Sequence, residues 1–371
     1  MIANGQPSLT ALTAAAARAA HLIVDGKPVI FADTLAEAML GERAEEFIAY
    51  HRAHGTHPVL AGARTQVTCR SRYAEDRLAR VIGRGIGQYV LLGAGLDSFA
   101  YRSPLAGRVR VFEIDHPATQ EYKRRALGVA GSAGAAAGSS GTAAGSGGAA
   151  AGRIRAAADG VTFVPVDFAR DSLADALGRA GFDAARPAFV SWLGVTMYLE
   201  SSAIEATVSV LGGFAPGSEI VVDYMLPAGL RDAAGQTYAD LVGQVAAERG
   251  EPWLSVFAPE AMAALLARHG FGPARDVGQR DMIPAAAWDR SDALQPAELS
   301  HIAHAATRRE AAPGALGAWR GGGTTNRSAY RSSGRAPGGS GERARYPERG
   351  HFMSGGPSGR DLPPVPAWAA P

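Results

Sequence analysis

Gln88-Tyr89-Val90-Leu91-Leu92-Gly93-Ala94-Gly95-Leu96-Asp97 is a short apolar run that stops on two glycines and an acid. A near-continuous run of this length suits a strand buried on both faces of a parallel sheet. The glycines at its end permit a tight turn and a close approach of backbone to a ligand. Four further runs have the same character: residues 109–115 (VRVFEID), 161–167 (VTFVPVD), 188–194 (AFVSWLG) and 219–225 (EIVVDYM). Helical patterns lie between them at 117–127, 171–179 and 201–213. Strands alternating with helices predict a doubly wound α/β fold.

Working outward, residues 8–21, 34–54 and 73–82 read as helices ahead of the first strand. Residues 230–249 and 259–269 read as helices after the fifth, the last opening on Pro259 and stopping at Gly270. The N-terminal helices and the stretch around 226–258 are the expected substrate-facing parts. Residues 128–152 are Gly, Ala, Ser and Thr apart from Val129, a composition with no apolar surface to bury, and read as a flexible insertion. The segment 312–371, rich in Gly, Pro, Ser and Arg, reads as a disordered tail. The expected organisation is a domain over 1–311, helical over 1–87, followed by that tail.

The 371 residues carry a net charge of +2. Ten arginines and four acidic residues fall between Arg308 and Pro371, so the remainder is net acidic and the basicity belongs to the tail. Such a tail permits weak, salt-sensitive contact with nucleic acid and does not require it. Cys69 is the single cysteine, which rules out an intrachain disulfide and predicts a reducing, cytoplasmic compartment. No secretory leader and no membrane span are expected.

In an open α/β sheet, ligands bind beyond the carboxyl ends of the strands. Asp115 closes the second run, twenty residues after Gly95, where a carboxylate can accept both hydroxyls of a ribose. Asp167 closes the third run, where nicotinamide-binding folds carry no standard acid and where a carboxylate suits the amino group of an adenine. With a glycine turn of the form GxGxD, this pattern favours S-adenosylmethionine over NAD. Each acid also has a plain structural role open to it, Asp97 and Asp115 as helix caps and Asp167 as the start of a turn. His51, His54 and His57 recur at every third residue, but HGTHP interrupts the helix and no carboxylate or cysteine pattern accompanies them, so no metal site is expected.

The sequence resembles the leucine carboxyl methyltransferase-like family, and more closely its actinobacterial, mainly mycobacterial, branch of S-adenosylmethionine-dependent methyltransferases. The resemblance rests on Arg70-Ser71-Arg72-Tyr73, on GAGLDS at 93–98 with AYR at 100–102, and on FEIDHP at 112–117 with Lys123. VPVDF at 164–168, SWLGVTMYL at 191–199 and GEPW at 250–253 extend it. It covers roughly residues 8–309. It implies a class I methyltransferase fold, Rossmann-like and doubly wound, with an N-terminal helical extension.

The resemblance also implies roles. Asp115 would hold the ribose, with Glu113 as its alternate; Asp167 and the backbone of Phe168 would meet the adenine. Gly93 and Gly95 would make room for the methionine moiety, and Arg72 would pair with its carboxylate. Two departures stand out: Leu193 where many members carry glutamate, and Phe99 where arginine is common. The implied reaction is O-methylation of a carboxylate or hydroxyl on a small-molecule acceptor. His116, His21 and Tyr198 are candidates for a base, and none is chosen. Other readings are a non-catalytic cofactor- or nucleic-acid-associated protein and an NAD-dependent oxidoreductase on a similar fold.

Overall fold

The five apolar runs form strands β1 (Gln88–Leu92), β2 (Arg110–Asp115), β3 (Val161–Pro165), β4 (Ala188–Trp192) and β5 (Glu219–Met225), all parallel. The structure is a computed structural model that describes residues 7–128, 160–168 and 170–308. Apart from Gly128, the insertion expected at 128–152 lies outside these residues, as does the tail expected at 312–371. Two more strands, β6 (Arg275–Val277) and β7 (Ser300–Ala306), complete a sheet of order β3-β2-β1-β4-β5-β7-β6. β7 runs antiparallel to both its neighbours. The order reverses between β1 and β4, which puts the topological switch point at the carboxyl end of β1.

Alternation along the strands decides which residues meet which layer. Val90, Leu92, Phe112 and Ile114 face one layer of helices, α7 (Leu173–Arg179), α8 (Ser201–Gly212) and α10 (Pro259–Arg268). Tyr89, Leu91 and Val111 face the other, where Ala74, Leu78 and Val81 of α4 (Pro58–Ile82) close the core. Each such leucine or valine contributes roughly 1.5–3 kcal/mol by leaving water. The remaining helices are α1 (Leu9–Val24), α2 (Ala36–Met39), α3 (Ala44–His54), α5 (Phe99–Arg102), α6 (Pro117–Ala126) and α9 (Ala233–Glu248). The alanine-rich face of α1 packs through Leu12, Ala15 and Ala16 against Phe47 and Ile48 of α3 and against Leu96 behind β1.

Two helical expectations are corrected. The helix read over 34–54 is broken: α2 ends at Met39, Gly41 takes a positive φ of 57°, and α3 begins only at Ala44. The helix read over 73–82 is the last part of the 25-residue α4. Its start is fixed by His57, whose Nδ1 accepts from the Val59 N–H at 3.2 Å, with Pro58 at the first helical position. The three histidines thus part company. His51 is buried beside Arg64, the His54 ring packs on Tyr50, and His57 caps α4.

Candidate cofactor and active site

The turns after β1, β2, β3 and β4 open onto one cavity of about 840 Å³. That falls among small-molecule sites, which span roughly 300–1,000 Å³. Gly93 and Gly95 line it with φ of 66° and 49°, and a Cβ on Gly93 would stand 2.2 Å from Cγ2 of Val195. Only glycine fits that turn.

Asp115 reaches the same cavity from the end of β2. Its Oδ2 accepts from the Gly95 N–H and its Oδ1 from the His116 N–H, both at 2.6 Å. Burial pushes the carboxyl above its ordinary value, against the pull of these two N–H groups. Glu113, one pleat back, does not line the cavity. It is fully buried and paired with Lys123 at 2.6 Å. Asp167 and Phe168 line the cavity from the end of β3; the Asp167 N–H donates to Asp171 Oδ2 at 2.8 Å. Leu193, one of the two departures from the pattern of the resemblance, is part of the wall.

Arg72 is elsewhere. Its side chain is 40% exposed, donates to Asp76 at 2.7 Å and is not part of the cavity wall. Arg70 is in the wall instead. Two residues apart on a helix means about 200° of rotation, so one arginine faces the sheet while the other faces out. Sequence reasoning also missed Arg18 of α1, which lines the cavity while its guanidinium donates to Asp33 and to the Leu96 carbonyl, each at 2.7 Å. The buried pairing of Arg18 with Asp33 was not legible, because residues 25–35 show no periodicity.

Two distant segments roof the cavity. Ser8, Thr10, Ala11 and Ala14 come from the start of α1, and Gly250, Glu251, Pro252 and Leu254 from the loop after α9. Ser8 Oγ donates to Glu251 Oε1 at 3.3 Å and Thr10 Oγ1 donates to Glu251 Oε2. Of the three possible bases, His116 and Tyr198 reach the cavity. His116 Nδ1 already accepts from the Ala118 N–H at 3.2 Å, and burial pushes the Tyr198 phenol up. His21 is buried between Asp25 and the Ile30 N–H, outside the cavity wall.

The wall carries the carboxylates of Asp97, Asp115, Asp167, Glu200 and Glu251 against the guanidiniums of Arg18, Arg70 and Arg170. Arg18 and Arg70 are each committed to a buried aspartate, Asp33 and Asp223. The field in the cavity therefore favours a cationic ligand. Among the described residues no group of three or more His, Cys, Asp and Glu is disposed to hold a metal, and no helix is long and apolar enough to cross a membrane.

A profile of the leucine carboxyl methyltransferase family matches residues 11–212, more than half of the chain. The chain belongs to that family. Bacillus subtilis YktD, provisionally named an S-adenosyl-L-methionine-dependent methyltransferase, is 29% identical over 324 residues, 81% of this chain and 98% of its own length. A Mycobacteroides abscessus protein with the same provisional name is 30% identical over 247 residues, 66% of this chain and 72% of its own. A solved DUF574 family protein from Streptomyces avermitilis matches at a TM-score of 0.46 and 15% identity, over 78% of this chain and 96% of that one. As a member of the leucine carboxyl methyltransferase family, the protein is an S-adenosyl-L-methionine-dependent methyltransferase with the class I fold.

Proposed function

We propose that the cavity binds S-adenosyl-L-methionine and directs O-methylation of a carboxylate or hydroxyl on a small-molecule acceptor. The observation that carries this reading is the convergence of two strand-end carboxylates, Asp115 and Asp167, on the cavity behind the Gly93–Gly95 turn. Asp115 accepts the ribose hydroxyls with the lone pairs its two backbone partners leave. Asp167 and the backbone of Phe168 meet the adenine. The bare Cα atoms of Gly93 and Gly95 admit the methionine moiety, and Arg70, in the role the resemblance implied for Arg72, meets its carboxylate. Leu193 supplies apolar contact from the cavity wall.

The cofactor supplies an electrophilic methyl group on a cationic sulphur, and the anionic wall complements that charge. The chain's task is to align a nucleophile with it. A carboxylate acceptor is ionised at pH 7 and needs no base. Tyr198, its phenol kept protonated by burial, donates a hydrogen bond to the acceptor and does not remove a proton. We take residues 1–311 as the methyltransferase domain, 312–371 as a separate arginine-rich tail, and the cytoplasm as the location, consistent with the lone buried thiol of Cys69.

Calorimetric titration tests the reading. S-adenosylmethionine and S-adenosylhomocysteine bind the wild type and NADH does not. Asp115→Ala weakens both by roughly tenfold or more, and Asp167→Ala by several-fold, without unfolding the protein. Unchanged affinity in both folded variants refutes the strand-end assignment; binding of NADH alone restores an oxidoreductase.

A further inference from the structure

Asp223 lies within β5 with its side chain 1% exposed, and it does not line the cavity. Two groups that do line it end on its carboxylate. Oδ1 accepts from the Gly194 N–H at 2.7 Å, and Oδ2 accepts from Arg70 Nη1 at 3.0 Å. Its backbone carbonyl accepts from Thr196 Oγ1 at 2.7 Å and so holds the far side of the same turn. Gly194 has a φ of 74°, and a Cβ there would stand 2.4 Å from Arg70 Nη2, so the guanidinium rests against the bare backbone.

We propose that Asp223 is a positioning residue for the cofactor's amino-acid end, locking Arg70 and the Gly194 turn together as one preformed unit. The inference rests on the functional reading above, in which Arg70 meets the methionine carboxylate. A carboxylate is required because both of its partners are donors. An amide offers one acceptor and one donor, so whichever way it turns its NH₂ opposes either the Gly194 N–H or the guanidinium. Loss of the charge has an opposing effect: Arg70 released from its counter-ion attracts an anion more strongly. Geometry decides the sign, since a guanidinium that has lost its buried partner no longer keeps its remaining N–H groups on the ligand.

The test compares two ligands on the full-length protein. S-adenosylhomocysteine carries the amino-acid portion; 5′-methylthioadenosine keeps the nucleoside and the sulphur but lacks it. Asp223→Asn weakens S-adenosylhomocysteine roughly tenfold and leaves 5′-methylthioadenosine within about twofold. Arg70→Gln gives the same selective loss, and combining the two adds little further. An equal loss of both ligands assigns Asp223 a purely structural role, and unchanged or tighter S-adenosylhomocysteine binding makes it a mere counter-ion; either result overturns the proposal. If Asp223→Asn does not fold, Asp223→Glu, which keeps the charge but moves the oxygens by one methylene, shows the same selectivity or refutes it. Failure of the wild type to bind either ligand overturns the functional reading and this inference with it, whereas the variant outcomes above overturn this inference alone.

Discussion

Gly93 concentrates the constraints on the site in one position. Its φ of 66° lies in the left-handed region, and Val195 occupies the space a side chain would need. Gly93→Ala therefore combines backbone strain of about 1–3 kcal/mol with displacement of Val195 into the cavity. We expect a lower melting temperature and weaker cofactor binding together, read by thermal denaturation with and without S-adenosylhomocysteine; an alanine variant as stable and as tight as wild type refutes this account. That Gly93, Gly95, Asp115 and Asp167 line one cavity was legible because each lies at the end of an apolar run, where the strand itself indicates the direction. Arg70 and Arg72 were not distinguishable, because the sequence shows α4 only from Tyr73 onward. Without the true start at Pro58, the face on which each arginine falls is undetermined.

At the scale of elements, the parallel strands were legible and the antiparallel edge was not. β7 (SHIAHAA) is mostly alanine and histidine, with Ile302 its one residue of strong strand preference, and β6 is three residues long. Tertiary pairing makes them strands: β7 joins β5 along seven residue pairs. The edge is fastened by His301, whose Nδ1 meets Asp276 at 2.8 Å and whose Nε2 meets Glu298 at 2.6 Å. Burial disfavours the imidazolium, but the hydrogen bonds to the two carboxylates outweigh it and raise the His301 pKa above its ordinary value. The folded state thus holds this proton more tightly than the unfolded chain. The stabilisation is full below about pH 6.5 and is lost as pH rises through the raised value. His301→Gln should therefore lower the melting temperature most at pH 6 and least at pH 9, an effect on the order of 1 kcal/mol. A difference between the two proteins that is flat with pH refutes this account.

At the scale of the whole molecule, the cavity floor is the sheet, and its roof is a clasp between residues remote in sequence. Ser8 and Thr10 hold Glu251 from the opposite side. Because the two arms meet through hydroxyl–carboxylate bonds, Thr10→Val loosens the roof at little cost to the core. The expected result is several-fold faster release of S-adenosylhomocysteine in stopped-flow dilution, with an almost unchanged melting temperature. A release rate equal to wild type means the clasp does not gate the cavity. The sequence marked both arms as substrate-facing, but their meeting at Glu251 has no local signal, since 241 residues separate Thr10 from its partner.

That separation also sets the order in which the protein matures during its own synthesis. At roughly 5–20 residues per second, Glu251 leaves the ribosome some ~10–50 seconds after Thr10. By then all five parallel strands have already been made. From the completion of β4 at Trp192 until Glu251 emerges, the nascent chain carries the strand ends of the floor with no ceiling. If the clasp gates the cavity, retention of cofactor is acquired only once Glu251 has emerged, and fragments of the chain that end before it are at most transient hosts.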